Sequence, residues 1–273
     1  MKRSNLTPTG FTLIELLVVI SIISLLISVL LPALSAAKKT SNATVCLSKM
    51  RQMGQALVIY AQDYDQSLPP GTYSGTDSTN WMVLSLHMLG VQGTTFAQQA
   101  SLGSSMVKTF FTDTDAITPS ATNMNPNHYS AHPRLMPDIS TFESGGSPIT
   151  GPRCSARIDA IRNPSDLILV YDGTQIASAN VASVGIGLDA DRIYYGTYLL
   201  HGVTGSPEDR IRAGENRDAA SWADSNVGEI RFRHMNNTRG NLLFVDGHAG
   251  GVRYNGNNGT DIFRRNVNVN ITY

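Results

Sequence analysis

Glu15 is the only ionisable residue between Phe11 and Leu31, a run in which 16 of 21 positions are Phe, Leu, Ile or Val. A carboxylate inside such a run costs ~2.5–3.5 kcal/mol or more in lipid, so it demands a cation. Cleavage between Gly10 and Phe11 would create one: an α-amino group four residues, or one helical turn, before Glu15. That amine can pair with Glu15 of its own chain or of a neighbouring copy. At the other end of the chain, His234, Asp246, Gly247 and His248 form a second constellation. Two His and one Asp are suitable metal ligands. However, Asp246 and His248 share a strand face only if the Asp-Gly pair does not turn the chain, and no partner lies at helical spacing. The structural reading is preferred: Asp246-Gly247 makes a turn, His234 hydrogen-bonds across a hairpin, and no metal is assigned.

No catalytic pattern accompanies these residues. Gly-x-Ser-x-Gly, a phosphate-binding glycine loop ending in Lys-Ser/Thr, His-Glu-x-x-His and Cys-x-x-Cys are all missing from the sequence. The chain is therefore read as a non-enzyme. Lys plus Arg equals Asp plus Glu at 21 each, and charged residues make up 15% of the 273. Without a basic excess, nucleic acid is excluded as a general partner.

The elements that position Glu15 come next. At 1.5 Å per residue, the run from Phe11 to Leu31 makes a helix of roughly 31 Å, the thickness of a bilayer's hydrocarbon core. A secretory signal peptide fits poorly: the apolar run is too long, no Ala-x-Ala site closes it promptly, and Glu15 has no use there. Ser21, Ser24 and Ser28 form a narrow stripe that would let helices approach closely. Beyond Pro32, Cys46, Met50, Met53, Leu57, Tyr60 and Tyr64 recur at alternating spacings of 4 and 3, one face of an amphipathic helix. Pro69-Pro70-Gly71 is expected to end it.

The stretch Gly10-Phe11-Thr12-Leu13-Ile14-Glu15-Leu16-Leu17-Val18-Val19-Ile20 closely resembles the type IV prepilin processing site. In that family a membrane peptidase cuts after the Gly and methylates the new N-terminal Phe. Its Glu, matched by Glu15, guides assembly by neutralising the terminus of the adjacent subunit. Pro32 falls where these proteins commonly carry a helix-loosening proline. The segment from Arg233-His234 to Asp246-Gly247-His248 resembles the C-terminal signature of a large pseudopilin-like group. There nine residues separate the His from Asp-Gly; here 11 separate His234 from Asp246. The tract from Tyr129 to Pro137 is also similar to that group.

The resemblance implies an α+β, pilin-like fold: a long N-terminal helix, transmembrane in its first half, packed on a mainly antiparallel β-sheet head. It divides the chain into a leader (1–10), a transmembrane and assembly helix (11–31), the continuation of that helix (32–65) and a globular head (66–273). The implied function is that of a structural subunit, pseudopilin-like or a minor pilin, of a type II secretion or type IV pilus-like filament. A membrane-anchored extracytoplasmic binding module is the alternative. The implied partners are the prepilin peptidase/methylase, other pilin or pseudopilin subunits and the bacterial inner membrane, with the head on the periplasmic side. Lys38, Lys39, Lys49 and Arg51 outnumber Lys2 and Arg3 and argue for the opposite orientation. The processing motif outweighs them because it accounts for Gly10 and Glu15 together.

Within the head, a short helix is expected at 81–89 and an extended piece at 129–136. A buried strand is expected over 167–171, closed by an Asp172-Gly173 turn. A three-strand meander is expected from 230–234, 242–245 and 248–254, with the long helix lying across this sheet. Alternating carboxylates at Asp63/Asp65, Asp113/Asp115 and Asp189/Asp191 are of the kind seen in Ca²⁺ loops, and some secretion pseudopilins bind Ca²⁺ in head loops. None shows the full loop spacing with its closing Glu, so solvated turns are expected and Ca²⁺ stays the one cofactor candidate. An oxidising compartment would permit a Cys46–Cys154 disulfide; a buried Cys46 thiol is the equal alternative.

Overall fold

The computed structural model describes residues 11–73, 79–90, 110–115, 128–132, 135–136, 155–161, 163–174, 176–177, 184–185, 216–218 and 230–254. The chain divides after Ser41 into two units.

Helix α1 runs from Leu13 to Asp63. Thr12 and Glu15 make a reciprocal cap at its start: the Thr12 N–H and hydroxyl donate to Glu15 Oε2 at 2.9 and 2.7 Å, and the Glu15 N–H donates to Thr12 Oγ1 at 3.3 Å. Pro32 lies within the helix without ending it. Every residue from 11 to 38 is exposed, and α1 is long and apolar enough to cross a membrane. The serine stripe is made compatible with lipid internally. Ser21, Ser24 and Ser28 each donate to a carbonyl of their own helix, on Leu17, Ile20 and Leu25, at 2.7 Å.

The last turns of α1 belong to the second unit. Cys46, Met50, Met53 and Leu57 are fully buried and Tyr60 nearly so, as the spacing requires. Tyr64 departs from the stripe: it is exposed and stacks on Tyr60, ring centroids 4.2 Å apart. The helix stops before the prolines because Asp65 and Gln66 adopt positive φ (51° and 61°), and the Gln66 N–H returns to the Ala61 carbonyl at 2.7 Å. This reversal satisfies the helix's last carbonyls earlier than a proline would force.

After the short ribbon of β1 (Thr72–Tyr73) and β2 (Thr79–Asn80), α2 covers Trp81–Met88, with Trp81, Val83, Ser85 and Leu86 buried. β3 (Tyr129–Ala131), β4 (Ile168–Asp172), β7 (Arg239–Phe244) and β8 (Ala249–Arg253) form a four-stranded antiparallel sheet in that spatial order. β5 (Ile176–Ala177) and β6 (Val184–Gly185) pair separately.

β4 reads as an unbroken apolar run because both sheet faces are covered. Met50, Met53 and Leu57 of α1 pack with Leu169, Val170, Leu243, Val245 and Ala249 on one side. Ile168, Tyr171, Ile230, Phe232, Leu242 and Phe244 form a second cluster. A register shift between Ile168 and Val170 puts Leu169 and Val170 into the same cluster, where strict alternation would separate them.

Three expectations are corrected. Asp172-Gly173 does not turn: the ladder continues through Gly173, whose N–H donates to the His128 carbonyl at 2.9 Å and which bridges Ile230. Residues 230–234 are not a strand, because only isolated bridges form there, Ile230 to Gly173 and His234 to Arg239, before Met235, Asn236 and Asn237 reverse the chain at positive φ (52°, 63° and 61°). The 129–136 piece ends at Ala131, where the His132 carbonyl takes the N–H groups of Leu135 and Met136 instead.

Candidate functional site

Gly10 lies outside the described residues. Phe11 is 72% exposed, followed by the Thr12–Glu15 cap already described. Nothing but Thr12 touches the Glu15 carboxylate among the hydrogen bonds of the described residues, so the single charge of the apolar helix is presented outward at its first turn.

A second polar centre is buried in the head. α1 supplies Cys46, the 110–115 segment supplies Asp113 and Asp115, the end of β4 supplies Asp172, and Arg233-His234 enters just before the left-handed turn. Cys46, Asp172 and His234 have no exposed surface and Asp113 has 1%. The Cys46 thiol donates to Asp113 Oδ1 at 3.4 Å, and the Thr114 N–H donates to Cys46 Sγ at 3.4 Å. The Asp115 N–H also reaches Asp113 Oδ1, at 2.7 Å, and the Asp113 N–H donates to His128 Nδ1 at 2.8 Å. His234 Nδ1 meets Asp115 Oδ2 at 2.8 Å, while its Nε2 lies 3.2 Å from Asp172 Oδ2 and 3.4 Å from Asp113 Oδ2. Arg233 Nε stands 3.3 Å from Asp113 Oδ2, and its guanidinium also donates to the Gly173 carbonyl. Asn241 donates its N–H to Asp172 Oδ2 at 2.6 Å and brings its amide within 2.8 Å of His234 Nε2.

Charges this deep shift one another. Burial pushes the Asp113 carboxyl up, and the neighbouring Asp172 charge pushes it further. Burial opposes a charged His234, but the Asp172 contact and the Asp113 and Asp115 carboxylates outweigh it and raise the imidazole to about 9. An imidazolium then requires the Asn241 amide to turn its oxygen toward Nε2. Burial, then Asp113, pushes the Cys46 thiol up to about 12. His128 goes the other way, to about 3, through burial and the positive charges of Arg233 and Lys49.

The residues 9–31 match the family model described as the prokaryotic N-terminal methylation motif. Over 36 residues the chain is 64% identical to a protein of Thermus thermophilus named the type IV wide pilus major component PilA4. That stretch is 13% of this chain and 28% of the relative, so most of both lies outside the likeness. No solved structure matches. The N-terminal segment is prepilin-like.

The two parts of the head signature, His234 and Asp246, are separate. His234 bridges Arg239, the first residue of β7, and Asp246 lies two residues beyond its last, so about six residues of strand, roughly 20 Å, part them. The trio His234, Asp246 and His248 is therefore not one site. Asp246 Oδ1 instead takes the His248 N–H at 3.0 Å and its Nδ1 at 2.5 Å, and the His248 ring stacks on Phe244 at 4.2 Å. Gly247 makes the expected turn at φ 87° and passes beneath α1: a Cβ on Gly54 would stand 3.1 Å from the Gly247 carbonyl oxygen. His234 does bond across its loop, to Asn241 on β7.

The Asp113/Asp115 pair is corrected from a solvated turn to part of the buried centre, because the Cys46 face of α1 closes over it. Asp65 is exposed and pairs with Arg157 at 2.7 Å. Asp189, Asp191 and Cys154 lie outside the described residues; Cys46 is a free, buried thiol. Sequence reasoning missed Asp172, His128 and Arg233. An aspartate terminating a wholly apolar strand was the available signal, and it was spent on a turn.

Proposed function

We propose that this chain is a structural subunit, pseudopilin-like or a minor pilin, of a type IV pilus-like or type II secretion filament. The prepilin peptidase/methylase cuts after Gly10 and methylates Phe11. The chain sits in the bacterial inner membrane by the apolar part of α1 with its head on the periplasmic side, and it leaves the membrane to pack α1 against other subunits. The supporting observation is the methylation motif at 9–31 together with Glu15, the single charge of an apolar helix. Once Phe11 is the terminus, its amine stands one turn from that carboxylate, and apolar burial between helices supplies the remaining drive.

Mass spectrometry of the N-terminal peptide from native membranes tests the reading. A chain beginning with N-methyl-Phe11 supports it; a chain retaining Met1 refutes it and leaves the anchored binding module. Glu15→Ala should be cleaved normally yet fail to enter filaments. Filaments of normal yield from that variant would exclude the charge-pairing step.

A further inference from the structure

The buried centre of the head gathers the carboxylates of Asp113 and Asp172 away from water. Asp172 Oδ1 has no hydrogen-bond donor among the described residues, and Asp113 Oδ2 has only the ion-pair contacts of Arg233 Nε at 3.3 Å and His234 Nε2 at 3.4 Å, although both side chains are fully buried. An unpaired buried carboxylate oxygen is costly and calls for a cation. Cys46, Asp113 and His234 each turn one ligand atom inward, and these atoms lie within 4.8 Å of one another. We propose that Cys46, Asp113 and His234 bind one zinc ion inside the head, with the Asp172 carboxylate closing the fourth position.

The spacing suits that ion. Tetrahedral zinc with bonds of about 2.0–2.3 Å has ligand-to-ligand edges of about 3.3–3.6 Å. The edges at His234 Nε2 are 3.4 Å to Asp113 Oδ2 and 3.2 Å to Asp172 Oδ2, and the Cys46 sulfur lies within 4.8 Å of the His234 and Asp113 ligand atoms. The surrounding groups orient the ligands as a zinc centre needs. Asp115 takes His234 Nδ1 and turns Nε2 inward, the Thr114 N–H points at the Cys46 sulfur, and the Asp115 N–H fixes Asp113 Oδ1 so that Oδ2 faces the centre.

Counting the ligands alone, a Cys46 thiolate with the Asp113 and Asp172 carboxylates carries three negative charges, which a divalent ion and the Arg233 guanidinium offset, while the partly exposed Asp115 carboxylate stays on His234 Nδ1. When zinc enters, the Cys46 S–H bond breaks and Zn–S forms. Any Nε2 proton of His234 leaves as Zn–N forms, and both protons pass to solvent without electron transfer. Asn241 gives up its contact with Nε2. A thiolate and an imidazole favour zinc over Ca²⁺ or Mg²⁺, which take oxygen ligands. The ion joins α1, the 110–115 segment, β4 and the His234 turn from the inside, so its role is structural.

The test uses the full chain in detergent, stripped with chelator and reloaded with Zn²⁺ or Co²⁺. One ion per chain and a thiolate-to-cobalt charge-transfer band in the near ultraviolet are expected, and the wild-type spectrum reads the thiolate without any substitution. Cys46→Ser should abolish the band and weaken binding by ~100-fold or more. Asp115→Asn, which touches only the back of His234, should weaken it by ~10–100-fold. A chain that takes up no stoichiometric ion overturns the proposal, as does a cobalt spectrum lacking the thiolate band or one that Cys46→Ser leaves unchanged.

Discussion

Replacing Gly54 by Ala sets two effects of opposite sign against each other. Gly54 is the only glycine of α1, and in an unencumbered helix interior the change to Ala stabilises by about 1 kcal/mol. Here the new methyl would stand 2.7 Å from Leu243 Cδ1, 3.1 Å from the Gly247 oxygen and 3.3 Å from Gly247 Cα. Leu243 is fully buried and lies between Val170 of β4 and Ala249 of β8, so its methyl has no free volume to enter. Gly247 cannot retreat either: it holds φ 87° and donates its N–H to Phe244 at 3.0 Å. Relief therefore means lifting α1 off the sheet or forcing Leu243 off its rotamer, at about 1–3 kcal/mol for overpacking and ~0.5–1.5 kcal/mol for the rotamer. The net is a loss of about 1–2 kcal/mol, a fall in Tm of roughly 3–6 °C for a head of this size. Thermal unfolding of the full chain in detergent, read by Trp fluorescence, measures it against Gln55→Ala at the exposed neighbouring position. A Gly54→Ala protein more stable than wild type would refute the close contact between helix and turn.

Two further outcomes follow from the head. Asp246→Ala removes only the exposed contacts to His248 and should cost about 0.5–1.5 kcal/mol while leaving cobalt uptake unchanged; loss of the ion in that variant would return the signature to the metal question. His128 is neutral in the fold, with its pKa lowered to about 3 from 6.5, so its contribution is complete above pH 6.5 and is lost as pH falls from 6.5 toward 3. Denaturant unfolding in chelator should weaken by ~3–5 kcal/mol across that window, with Lys49, Arg233 and Asp113 facing the ring. His128→Asn, which keeps an acceptor for the Asp113 N–H, should flatten the slope; an unchanged slope would exclude His128 as its source.

Local chemistry made the long helix legible. Apolar density from Phe11 to Leu31 requires a helix in lipid, and the 4 and 3 spacing from Cys46 to Tyr60 requires one buried face, whatever the rest of the chain does. The same holds for β4, α2 and the Asp246-Gly247 turn, whose residue types carry their own geometry. Where propensity met a competing ladder, it misled: Asp172-Gly173 has turn composition, yet pairing with Ile230 satisfies its backbone better. The N-terminal motif was likewise complete in sequence, because the Gly10-Phe11 pair and Glu15 lie within about one helical turn of each other.

The buried centre was not legible in this way. Its residues stand at 46, 113, 172 and 234, on four segments whose neighbours in sequence share no pattern. Each looks ordinary alone: a core cysteine, a polar loop aspartate, a turn aspartate and a signature histidine. Only the packing of α1 over the sheet, with Gly54 against Gly247, removes water from them together and turns four unremarkable side chains into one buried polar cluster. Sequence by itself determined the anchor, because its physics is local to one helix; tertiary structure decided the head's chemistry, because desolvation belongs to the assembled core.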